Sequence, residues 1–82
     1  MPIPKTVTGL EEAIRREEER LAALTKVINA LYVLIDEAKK EGDFYVVDVC
    51  EGLIKSLRLA REYKIHKIER MRYALEFMKA RR

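Results

Sequence analysis

Few residues in this chain could do chemistry. There is one histidine, His66, one cysteine, Cys50, and one serine, Ser56. A nucleophile needs a base within hydrogen-bond reach, and neither Cys50 nor Ser56 has a neighbour in sequence that would serve. A structural zinc site wants four Cys or His ligands, and one of each is too few. A carboxylate di-metal site in a helical bundle uses Glu-x-x-His, but Tyr63 stands three residues before His66. No Gly-rich phosphate loop is present. The Glu17-Glu18-Glu19 run, beside Arg15, Arg16 and Arg20, has the spacing of a self-paired, solvated helix face. These residues lead to the expectation of a non-enzyme with no cofactor and no metal.

Binding chemistry is better represented. Residues 58–77, RLAREYKIHKIERMRYALEF, hold six Lys or Arg, three aromatics and the histidine. Net charge is +3, and from Lys55 onward ten basic side chains face only Glu62, Glu69 and Glu76. A cationic segment with rings suits phosphates and unpaired bases, or a protein groove anchored by Tyr, Phe and Arg. The residues expected to carry such binding are Lys55, Arg58, Leu59, Tyr63, His66, Lys67, Arg70, Tyr73 and Phe77. Six of them, Leu59, Tyr63, His66, Arg70, Tyr73 and Phe77, alternate steps of four and three and so line one strip of a helix.

The elements that position this strip can be read from breakers and periodicity. The 82 residues are 49% hydrophobic and 38% charged, with three Gly and two Pro, a composition suited to one all-α domain. Gln is absent and Asn occurs once among abundant Glu, Lys and Arg, as in heat-adapted proteins. Pro2 and Pro4 favour an extended N-terminal arm, residues 1–8. Thr8 and Glu11 have the spacing of a capping box, so a first helix is expected over about 9–40. Gly42 can close it in a left-handed conformation and Asp43 can cap the next, expected over about 44–81.

Each helix carries a heptad seam. Leu10, Ile14, Glu17, Leu21, Leu24, Ile28, Leu31, Ile35 and Ala38 form the first. Val47, Cys50, Ile54, Leu57, Arg61, Lys64, Ile68, Met71, Leu75 and Met78 form the second. Folding the chain at residues 42–43 sets the rows against each other in layers whose residue numbers total 85, such as Ile35 with Cys50 and Ile28 with Leu57. An antiparallel helical hairpin, residues 9–82, is therefore expected, with Cys50 a buried inert thiol. The polar seam positions Glu17, Arg61 and Lys64 are expected to form a register-fixing ion pair or triad.

One seam leaves apolar surface uncovered. A second row, Ala23, Val27, Ala30 and Leu34, runs beside the first helix's seam and is the expected oligomer interface of a homodimeric four-helix bundle. Leu21 to Ile35 is 15 residues with Lys26 and Asn29 inside it, too short and polar to cross a bilayer. The expectation is a cytoplasmic interaction protein with no membrane contact: a scaffold or accessory subunit of a larger complex. The alternative is a DNA- or RNA-binding protein using the same basic-aromatic strip.

Overall fold

The computed structural model describes residues 5–81 and is an all-α hairpin of two long helices, α1 (Val7–Glu41) and α2 (Phe44–Ala80). Helix formers fill both elements, and no Pro interrupts either. α1 starts earlier than the capping box implied. Its cap is Thr6, whose hydroxyl accepts a 3.0 Å hydrogen bond from Gly9 N–H, and Thr8 lies inside the helix. The extra residues continue the seam: Val7 is one three-residue step before Leu10 and is half-buried. Seam packing thus outweighs the local Thr8–Glu11 signal. Val7 and Thr8 are helical rather than part of an extended arm, and residues 1–4 of that expected arm lie outside the described residues.

The turn is built as the sequence suggested. Gly42 takes φ 73°, ψ 19°, and its N–H bonds the Lys39 carbonyl at 3.2 Å while Asp43 N–H bonds the Ala38 carbonyl at 2.9 Å. This paired arrangement satisfies two carbonyls that a helix end leaves without partners. An added Cβ at Gly42 would meet nothing within 4 Å, so backbone conformation, not space, favours glycine there. Asp43 Oδ1 then accepts from Val46 N–H at 3.2 Å and starts α2. Lys39 and Lys40 occupy the last turn of α1, where cations oppose the carbonyl end of the helix dipole.

The helices pack along the expected seams. Near the turn, Ile28, Ile35, Ala38, Val47, Cys50 and Ile54 form one buried cluster, with Leu31, Val46 and Leu57 against it. Near the open end, Leu10, Ile14, Ile68 and Met71 form a second, flanked by Ala13, Leu21, Ala74, Leu75 and Met78. Cys50 is buried at 2% exposure. Between the clusters lies the polar layer, where Glu17 is 7% exposed although charged.

The result is a thin rod, 61 × 18 × 15 Å. It exposes 6502 Å², whereas a compact monomer of 9.6 kDa is expected to expose about 5,100 Å². No helix among the described residues is long and apolar enough to cross a membrane.

Candidate interaction surface

The polar layer decides where the cations of α2 point. Lys64 Nζ donates to Glu17 Oε2 at 2.5 Å, Lys67 Nζ lies 3.5 Å from Glu17 Oε1, and Arg20 donates to the same oxygen at 3.2 Å. The hydrogen bond from Lys64 holds the Glu17 carboxyl below the usual carboxylate range, with help from the charges of Lys64, Lys67 and Arg20. Burial opposes that lowering and is the lesser influence. In so thin a molecule the carboxylate is covered by its cationic partners and not by deep protein. Arg61, expected in this network, is half-buried beside it, and no ion pair joins it to Glu17 among the described residues. A further cross-helix pair joins Arg72 to Glu18 at 2.5 Å.

These pairings separate charge from rings. Lys64, Lys67 and Arg72 reach across to α1, and Lys55 and Arg58 line a shallow depression with Tyr32, Glu51 and Gly52. Of the residues expected on the basic-aromatic face, Leu59, Tyr63, His66, Arg70, Tyr73 and Phe77 do share the outer face of α2 and are all exposed. Lys55, Arg58 and Lys67 flank that strip without joining it, because their positions turn toward the α1 side of the helix. The strip itself is therefore mainly apolar: Leu59 is 67% exposed, Tyr63 65% and Tyr73 78%. The Arg81 guanidinium lies 4.9 Å from the Phe77 ring centroid, a cation–π contact at its end. His66 Nδ1 is 3.7 Å from Glu69 Oε2, an exposed contact of little energetic weight.

The strip is longer than its six expected residues. The same steps of four and three extend it toward the turn through Ser56, Gly52, Val49 and Tyr45, all exposed. The signal was legible as periodicity, but Gly52 and Ser56 are not apolar and masked the continuity.

The row Ala23, Val27, Ala30 and Leu34 is exposed along one long side of the hairpin. It meets α2 in a shallow apolar depression lined by Arg20, Ala23, Leu24, Val27, Ala60, Tyr63 and Lys64. Tyr63 thus borders both candidate surfaces. The Lys55 and Arg58 depression lies on the other long side, where Glu18 and Arg72 also pair, and that side is more polar.

Cys50 and His66 are not brought together: the thiol is in the seam, and the imidazole side chain is 71% exposed on the outer face of α2. Among the described residues no group of three or more His, Cys, Asp or Glu is placed to hold a metal ion. Compared with family models, curated proteins and solved structures, the chain matches none.

Proposed function

We propose that the protein is a small non-enzymatic helical interaction module, a scaffold or accessory subunit. It dimerises through the Ala23–Leu34 row into a four-helix bundle and offers the outer strip of α2 to a larger protein partner. One observation carries this reading: apolar side chains at heptad spacing lie exposed on two faces besides the packed seam. Exposed rows of that length on a chain of this size mark surfaces that other helices cover. Tyr63, Tyr73 and Phe77 are the anchors the outer strip supplies, since large rings contribute most of the energy of such interfaces.

Replacing Tyr73 and Phe77 by Ala is expected to abolish partner binding while the helical content and the dimer persist. Dissociation of the dimer by the same change would assign the strip to self-association and refute the partner surface.

A second reading, nucleic-acid binding by the same face, draws on the ten cations from Lys55 onward. Three of them, Lys64, Lys67 and Arg72, are engaged with Glu17 and Glu18, which leaves fewer to meet a phosphate backbone. Single- and double-stranded DNA and RNA, titrated at low salt, separate the readings. Binding that weakens steeply with added salt supports the nucleic-acid reading. No binding at about 50 mM salt removes it.

A further inference from the structure

The exposed row of α1 continues past its apolar residues in the same steps of four and three. Toward the N-terminus it runs into Arg20 and Arg16, and toward the turn into Glu37 and Glu41. All four are exposed. The row is thus basic at one end, apolar in the middle and acidic at the other. Such a row is complementary to itself when reversed.

We propose that this face binds a second copy of the chain, with the two α1 helices antiparallel about a two-fold axis that passes level with the midpoint of residues 28 and 29. This rests on the dimer reading above and adds its orientation, register and charge pairs. Under that axis, contacting residues have numbers that total 57. Arg20 meets Glu37 of the second copy, and Arg16 meets its Glu41. Ala23 lies opposite Leu34, and Val27 opposite Ala30. Every apolar pair then sets a small side chain against a larger one, which lets the helices approach closely without a void.

A second observation on the other helix agrees. In the hairpin, opposed residues have numbers that total 85, so the same axis crosses α2 between Ser56 and Leu57. On the side of α2 that adjoins the α1 row, the nearest residues about that level are Leu53, 49% exposed, and Ala60, which lines the depression with Ala23 and Val27. The axis places Leu53 against Ala60 of the second copy, again large against small. One symmetry operation satisfies both helices, and nothing in the hairpin's own packing requires that.

Area is adequate. A stable interface buries about 800 Å² per partner. The hairpin exposes about 1,400 Å² more than a compact monomer of its mass would. The symmetric pairs also make the interface isologous, as a closed dimer needs.

The test uses two full-length variants, Arg16→Glu/Arg20→Glu and Glu37→Arg/Glu41→Arg, with dimer dissociation constants from sedimentation equilibrium and helix content from circular dichroism. Each variant alone sets like charges against each other at both ends of the interface, and its dimer is expected to weaken at least ten-fold. An equimolar mixture is expected to restore the wild-type constant, because the swapped charges then meet their opposites. Because Arg20 also touches Glu17, the pair Arg16→Glu and Glu41→Arg is run in parallel; it leaves the polar layer intact and is expected to show the same rescue. A dimeric wild type whose variants show no rescue on mixing overturns the antiparallel register but leaves the dimer. A wild type that stays monomeric overturns both.

Discussion

Glu17 is the residue on which the hairpin's register depends. Three cations converge on one carboxylate between two apolar clusters, and any slip of one helix against the other would part it from Lys64 and Lys67 of α2, leaving only Arg20 of its own helix. Glu17→Gln keeps the shape and removes the charge, and should cost about 1–3 kcal/mol in denaturant unfolding. The pH dependence follows from the lowered carboxyl. The ordinary value is 4.5 and the folded value lies below it, so the folded state binds its proton less readily than the unfolded chain. The stabilisation is then fully present above about pH 4.5 and is lost as pH falls through the lower folded value. Glu17→Gln should flatten this acid limb. Parallel loss of stability in wild type and variant below that pH would show that the network contributes nothing. The Glu17–Lys64 pair of this layer was legible from the polar interruptions of the seam, but the part played by Lys67 was not. Lys67 lies one position before Ile68 of the seam and reaches Glu17 by the length of its side chain, whereas Arg61, on the seam, does not pair with it.

At the scale of the elements, the two helices, their turn and their facing rows were readable because three independent signals agreed: heptad spacing, the Gly42-Asp43 break and the matching of residue numbers across it. The start of α1 was misplaced because the local capping signal at Thr8 competed with a seam that continued to Val7. Which cations beside the outer strip α1 would engage was not legible, for a related reason. Charge counts along a segment ignore which side chains a partner helix will engage, and here α1 supplies Glu17 and Glu18. Gly42 gives the sharpest test of the turn. Gly42→Ala should destabilise the hairpin by about 1–2 kcal/mol, since alanine resists the left-handed conformation. Because the site is open, the loss should appear without any change in the packing of the Ala38 and Val47 layer. A neutral substitution in thermal unfolding would mean that the turn relaxes to another geometry at no cost.

At the scale of the whole molecule, a rod 61 Å long with one internal seam cannot cover the apolar residues it carries. Val27, Leu34 and Leu53 are exposed around the depression on one long side, and Tyr45, Leu59, Tyr73 and Phe77 on the outer face of α2, with Tyr63 on the border between them. The first group is assigned here to a second copy and the second to another protein. Val27→Asp with Leu34→Asp should therefore shift the chain to monomer and lower its unfolding midpoint, with the hairpin still helical. An unchanged mass would mean that this side faces solvent. The exposed row was visible in the sequence as a second heptad register. Its charged ends gained meaning only when the hairpin showed which residues of α2 share that side.

The most direct check is sedimentation equilibrium of the unmodified chain from about 1 to 100 µM, a range that populates the dimer of any interface with a micromolar or lower dissociation constant. Two copies of 9.6 kDa in one particle across the upper part of that range are expected. A single 9.6 kDa species throughout would contradict the self-association on which the functional reading is built.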